Sequence, residues 1–190
     1  MRVLVVDNGG QWTHREYRVL KYLGVDTAIV PNTTTLEKIG AVDGLVLSGG
    51  APRVGLNTEQ MGRNGEYIDR AGVPILGICA GHQFMALHLG GKAAPSKFPE
   101  FGKAHIVVKE KDALFEGLPD AFEAWESHND EVAALPPGFV NLAASEYCTC
   151  QAMRATDRPL FGLQFHPEVE DTQHGPEIFK NFLRVCEEWK

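Results

Sequence analysis

The chain has 190 residues, 44% hydrophobic and 23% charged, which is enough apolar content for one globular domain over residues 1–190 with a sizeable core. Acidic side chains outnumber basic ones 25 to 18, the isoelectric point is near 5.5, and no run of Lys or Arg follows a phosphate backbone, so nucleic acid is excluded as the expected partner. Four cysteines without framework spacing, no apolar run near the ~18 residues of a membrane span, and an N-terminus that reads as a strand rather than a signal peptide together predict a soluble, cytoplasmic protein.

In chain order, Val3 to Val6, Thr27 to Val30, Gly44 to Leu47 and Pro74 to Ile78 are short, nearly continuous apolar runs, the pattern of strands buried on both faces of a parallel sheet. Between and after them, Trp12 to Leu23, Thr58 to Ala71 and Gly81 to Leu89 read as helices, the first ending at Gly24. This alternation implies right-handed βαβ crossovers. Beyond Gly90-Gly91 the segments His105 to Lys109 and Phe139 to Ala143 read as more polar strands, separated by the turns at Gly117-Leu118-Pro119 and Pro136-Pro137-Gly138. Gln151 to Arg154 and Leu160 to Phe165 return toward the core, and Gly175 to Trp189 closes the chain as an amphipathic helix. The expected fold is a single α/β domain: a mostly parallel open sheet with flanking helices and additional antiparallel strands in the C-terminal half.

Two segments carry chemistry. Pro74-Ile75-Leu76-Gly77-Ile78-Cys79-Ala80-Gly81-His82-Gln83 is a buried strand that turns through small residues into a helix, the outline of a nucleophile elbow. The helix N-terminus behind Cys79 favours thiolate over thiol. The same residues also fit a cysteine that is one more small buried hydrophobe. Far along the chain, Phe161-Gly162-Leu163-Gln164-Phe165-His166-Pro167-Glu168 delivers a histidine and a carboxylate two residues apart, which project to one side of an extended chain. Glu168 is then placed to orient His166, and His166 to activate Cys79. An acyl transfer also needs oxyanion donors. The Leu47-Ser48-Gly49-Gly50-Ala51-Pro52 turn follows the third strand and is expected at the sheet edge that carries Cys79, where a backbone N–H of Gly49 or Gly50 pairs with that of Ala80.

Taken together, Gly77-Ile78-Cys79-Ala80-Gly81-His82-Gln83 and His166-Pro167-Glu168 resemble the class I glutamine amidotransferases, and the resemblance spans essentially the whole chain. Asp7-Asn8-Gly9-Gly10-Gln11, Leu47-Ser48-Gly49-Gly50 and Trp125-Glu126-Ser127-His128-Asn129-Asp130-Glu131-Val132 are similar to the glutaminases of GMP synthases. Anthranilate- and carbamoyl-phosphate-type relatives usually carry a Pro-Gly-Pro-Gly or Asn-Gly-Pro-Gly form of the turn. The resemblance implies a flavodoxin-like fold, with Cys79 as nucleophile, His166 as base and then acid, and Glu168 as its orienting carboxylate. It also implies glutamine contacts from Gly49, Gly50, Ala80 and Gln83 and from the Ser127, His128 and Asp130 segment. Ala51 stands before Pro52 where many relatives read Gly-Gly-Pro, which leaves the oxyanion donor open between Gly49 and Gly50.

The implied partners are L-glutamine and a separate ATP-pyrophosphatase synthetase subunit that aminates xanthosine monophosphate, an arrangement typical of archaea. No cofactor is expected in this chain; ATP and Mg belong to the synthetase. Ser48-Gly49-Gly50 lacks the Asp-Ser of an ATP-pyrophosphatase loop, and no Walker or G-x-G-x-x-G motif appears. No metal is expected either, since Cys148-Thr149-Cys150 has the wrong spacing for a zinc pair. His14, His88, His105 and His174 read as surface or locally bonded residues, Trp12, Trp125 and Trp189 as packing residues. Two other readings stay open: a glutaminase serving another synthase, such as an anthranilate synthase-like one, and a catalytically silent module that keeps the fold.

Overall fold

The structure is a computed structural model and describes residues 1–189. The apolar runs read from the sequence become β1 (Val3–Asn8), β2 (Ile29–Pro31), β3 (Gly44–Gly50) and β4 (Ile75–Ile78), which pair in parallel and are joined by β9 (Leu160–Leu163). Between β4 and β9 the chain makes an antiparallel excursion through β5 (Lys92–Val108), β6 (Ala121–Ala134), β7 (Phe139–Ala144) and β8 (Ala152–Ala155). The result is one nine-stranded sheet of order β2-β1-β3-β4-β9-β8-β7-β5-β6. Its parallel part has the flavodoxin-like 2-1-3-4-5 order, with β9 as the fifth strand.

Alternation along each parallel strand sends side chains to both faces. Val3, Val5, Val46, Leu76, Phe161 and Leu163 pack against Leu20 of α1 (Thr13–Tyr22) and Ile178, Phe179 and Phe182 of α5 (Gly175–Glu188). Leu4, Val6, Leu45, Leu47, Ile75 and Leu160 face the other way. There they meet Ile39 of α2 (Leu36–Ile39), Tyr67 and Ile68 of α3 (Asn64–Arg70), and Met85 of α4 (Ala80–His88). Among the described residues no helix is long and apolar enough to cross a membrane.

The structure departs from the sequence reading in several places, the short α2 among them. The helix expected over Thr58 to Ala71 is interrupted: a 3-10 turn over Thr58–Met61 stops at Gly62, whose φ of 55° is left-handed, and α3 begins only at Asn64. The strand expected at His105 to Lys109 is the tail of the 17-residue β5. β6, a 14-residue strand, was not foreseen as one, because its inward positions Phe122, Ala124, Glu126, His128, Asp130 and Val132 carry charge in the middle of an otherwise apolar face.

Phe182 is fully buried between α5 and the sheet, its ring 6.5 Å from that of Phe161. Phe182→Ala is expected to lower the unfolding free energy by about 3–5 kcal/mol in chemical denaturation, the usual cost of deleting a core aromatic ring.

Candidate active site

β1, β3, β4 and β9 end at one edge of the sheet, and each delivers part of a single site there. β4 runs into Cys79, which holds φ 48° and ψ −104°, a conformation L-residues rarely adopt. Backbone bonds fix it on both sides: Cys79 N–H donates to Leu163 O of β9 at 2.7 Å, and Cys79 O accepts from Gln83 N in the first turn of α4 at 2.9 Å. Small residues are required here. A Cβ on Gly81 would lie 2.3 Å from the backbone oxygen of Leu47, so α4 can start this close to β3 only with glycine at that position. Cys79 is 7% exposed. Cys150 and Cys186 are instead sealed in the core, and burial pushes their thiols up to about 12.

β9 carries the chain past Leu163 to His166, whose N–H donates to Trp125 O of β6 and whose carbonyl accepts from Thr172 Oγ1 at 2.7 Å. Thr172 Oγ1 also accepts from Trp125 N–H, so one hydroxyl ties the loop to the hairpin. The expected side-chain pairing is present: His166 Nδ1 lies 2.6 Å from Glu168 Oε1, and both side chains are buried. Burial alone would lower the His166 pKa, but the Glu168 carboxylate and the neighbouring Cys79 outweigh it and hold the ring well above the usual histidine range. The Trp12 ring stands edge-on to the imidazole at 4.5 Å, so its packing role is to wall His166. Gly49 sits between the two reacting groups: a Cβ there would come 3.1 Å from His166 Cε1 and 3.6 Å from Cys79 Cβ.

Cys79 faces two openings. A larger cleft of about 340 Å³ is lined by Trp12, Glu16, Gly49, Gly50, Cys79, Ser127, His166 and Glu168. A smaller one, about 80 Å³, gathers Gly50, Arg53, Cys79, Ala80, Gln83 and Ser127 to Asp130. Every residue expected at the site therefore lines one of the two openings at Cys79. The His128 side chain is 1% exposed and turned inward, with Nδ1 3.0 Å from Asp130 O and Nε2 3.2 Å from Glu100, so it shapes the cleft from behind. Gln83 spends its amide nitrogen on Asp130 O at 2.6 Å and Gln164 Oε1 at 3.1 Å, which braces the wall of the smaller opening that it lines. Asp130 is held by a two-pronged pair with Arg53, at 2.6 and 3.1 Å.

Three residues escaped the sequence reading. Gln164 Nε2 lies 3.7 Å from Cys79 Sγ; its signal was its place two residues before His166, on the same side of the extended segment. Glu16 and Glu126 are carboxyls 1% exposed on either side of the Cys79–His166 pair. Burial first, then Glu168 for Glu16 and Glu100 for Glu126, raises both well above the usual carboxylate range. Glu16 was legible only as the residue one helical turn after Trp12. Glu100, His128 and Cys148 present metal-ligating atoms within 4.8 Å of one another. Glu100, however, already accepts from Ser145 Oγ at 2.7 Å and Gln151 Nε2 at 2.9 Å, which makes the group a hydrogen-bonded polar cluster. His88 and His105 are locally paired, with Asp69 at 3.0 Å and Glu123 at 2.8 Å.

The family model described as Glutamine amidotransferase class-I matches residues 4–186. A curated relative from Thermoplasma volcanium, named as a glutamine-hydrolyzing GMP synthase subunit, is 51% identical over 190 residues, covering all of this chain and 94% of its own. A Pyrococcus abyssi protein of the same name is 46% identical over 188 residues, covering 98% of this chain and 99% of its own. A solved structure from Thermoplasma acidophilum, described as that of a GMP synthase subunit, superimposes with a TM-score of 0.95 at 49% identity over 100% of this chain and 95% of that one. A glutamine amidotransferase structure from Thermotoga maritima shares the fold at a TM-score of 0.76 and 20% identity, over 99% of this chain and 83% of that one. With the elbow, the paired histidine and carboxylate and these matches in hand, the chain belongs to the class I glutamine amidotransferase family.

Proposed function

We propose that this chain is the glutaminase subunit of a GMP synthase: it hydrolyses L-glutamine to glutamate and ammonia, and the ammonia passes to a separate synthetase subunit that aminates xanthosine monophosphate to GMP. The observation that carries the reading is Cys79 at a strained strand-to-helix turn beside a histidine bonded at 2.6 Å to a buried carboxylate. The place of the chain in a GMP synthase follows the names of relatives 41–51% identical over nearly the full chain.

Cys79 hands its proton to His166, and the thiolate adds to the side-chain carboxamide carbon of glutamine. The carbonyl oxygen becomes an oxyanion, stabilised by the backbone N–H groups of Gly50 and Ala80. His166 then protonates the nitrogen, the C–N bond breaks, ammonia leaves, and a γ-glutamyl thioester remains on Cys79. In the second half His166 takes a proton from water, the hydroxide attacks the thioester, and glutamate departs with the thiol restored. Throughout, Glu168 keeps Nδ1 protonated and Nε2 directed at the chemistry. Hydrolysis needs no cofactor in this chain, and ATP and Mg²⁺ belong to the synthetase. Four free cysteines fit a cytoplasmic setting.

Cys79→Ala is expected to abolish ammonia release from glutamine, read by a coupled glutamate assay. Glu168→Gln should lower kcat by about 10²–10⁴-fold with the fold intact by circular dichroism, because the imidazolium loses its counter-charge and orientation. Retained hydrolysis in Cys79→Ala would remove the nucleophile assignment. The partner is tested separately: adding a GMP synthetase subunit should raise the glutaminase rate, while an anthranilate synthase component should not.

A further inference from the structure

We propose that Glu16 is a positioning residue of the glutaminase site, an α1 side chain that clamps the Gly49 amide and thereby aims the Gly50 N–H at the oxyanion. The role rests on the glutaminase reading above.

The geometry comes from two consecutive peptides. Gly49 N–H donates to Glu16 Oε1 at 3.4 Å, which turns the Ser48–Gly49 peptide toward α1 and away from Cys79. The next peptide is held by its carbonyl: Ser48 Oγ donates to Gly49 O at 2.8 Å and in turn accepts from Asn8 N–H at 2.9 Å and Thr13 Oγ1 at 3.2 Å. The described residues contain no cis peptide bond, and in a trans peptide the N–H points opposite the carbonyl. Gly50 N–H is therefore presented on the side away from Ser48 and Thr13, where the cleft lies. The two halves of the clamp thus come from β1, where Asn8 N–H holds Ser48, and from α1, where Glu16 holds Gly49 directly. The open choice of oxyanion donor between Gly49 and Gly50 resolves to Gly50, because Glu16 occupies the other amide.

Glu16 is suited to this because its surroundings favour the protonated acid. The groups around it are Glu168 and His166 from the segment after β9, Asp7 from the end of β1, and the Gly49 amide from β3. Burial and then Glu168 hold its pKa well up, against smaller opposing contributions from His166 and Gly49 N–H. Oε2 is buried without a hydrogen-bond partner, as suits a carboxyl that is not ionised in the resting site. Glu168 is the carboxyl that bonds His166 directly. When Glu16 ionises, above the usual carboxylate range, a second negative charge favours His166 as imidazolium, which then accepts the proton of the deacylating water less readily.

The test compares Glu16→Ala and Glu16→Gln in the full chain, in complex with the synthetase. Removing the acceptor in Glu16→Ala is expected to lower kcat about 10- to 100-fold with glutamine KM changed less than about threefold, since only oxyanion alignment is lost. Glu16→Gln keeps an oxygen for Gly49 N–H and should recover kcat to within about threefold. Its rate should also decline less than the parent enzyme's as pH rises through the raised Glu16 titration. Alkylation of Cys79 by iodoacetamide involves no oxyanion, so its rate should be unchanged in both variants, which a general collapse of the site would not allow. Unaltered kcat in Glu16→Ala, or equal loss of kcat and alkylation in both variants, overturns the role of Glu16. If the parent chain releases no ammonia from glutamine with any synthetase, the glutaminase reading falls instead.

Discussion

Cys79 is held at φ 48° and ψ −104°, where a non-glycine residue costs about 1–3 kcal/mol, and the rest of the site depends on the fold imposing that conformation. The imposition comes from both directions. β9 takes the Cys79 N–H into the parallel ladder, and the first turn of α4 takes its carbonyl, so the residue belongs at once to the last rung of a sheet and to the start of a helix. A relaxed cysteine would have to give up one of these bonds inside the molecule, which costs about as much as the strain itself. The thiol therefore stands above the sheet edge with its direction already fixed, so little reorganisation is left for the reaction to perform.

Electrostatic balance is the second constraint. Three carboxyls, Glu16, Glu126 and Glu168, are buried around the thiol and one imidazole, a density of negative charge that a low-dielectric pocket does not tolerate in full. The structure divides the work. Glu168 touches the ring and forms the ion pair, while Glu16 and Glu126, which do not touch it, have their pKa values raised by burial and by neighbouring carboxylates. With Glu168 bonded to the ring and burial favouring the protonated form of the other two carboxyls, His166 is favoured as imidazolium.

How much of this was legible in the sequence depended on whether a residue's neighbours were local. The parallel strands were readable because both faces are buried, which leaves continuous apolar runs such as Val3 to Val6. The helix predicted from Thr58 failed at Gly62, where Asn32 O would lie 2.6 Å from any Cβ, a contact made across 30 residues of chain. β6 was hidden because its buried face places Glu126, His128 and Asp130 where alternation calls for apolar residues; only the fold shows that Glu100 receives His128 and Arg53 receives Asp130. His166 and Glu168 announced themselves by their spacing, while Glu16 looked like any helical glutamate, since its significance lies in a glycine amide 33 positions away.

The placement of the antiparallel excursion explains why the two halves of the motif are so far apart in sequence. β9 must lie beside β4 to bring His166 to the edge that holds Cys79, yet the outer wall of the cleft, Ser127 to Asp130, comes from β6 at the far side of the sheet. The strand reaches the site because the long β5–β6 ribbon curls back over it. That curl is secured at three points: His166 N–H on Trp125 O, Thr172 between the two segments, and Gln83 on Asp130 O. Each point joins the excursion to a residue beside the proposed nucleophile or base. The Ser127 to Asp130 wall and the Cys79–His166–Glu168 group are consequently assembled by the same bonds, so a change that loosens the ribbon displaces both.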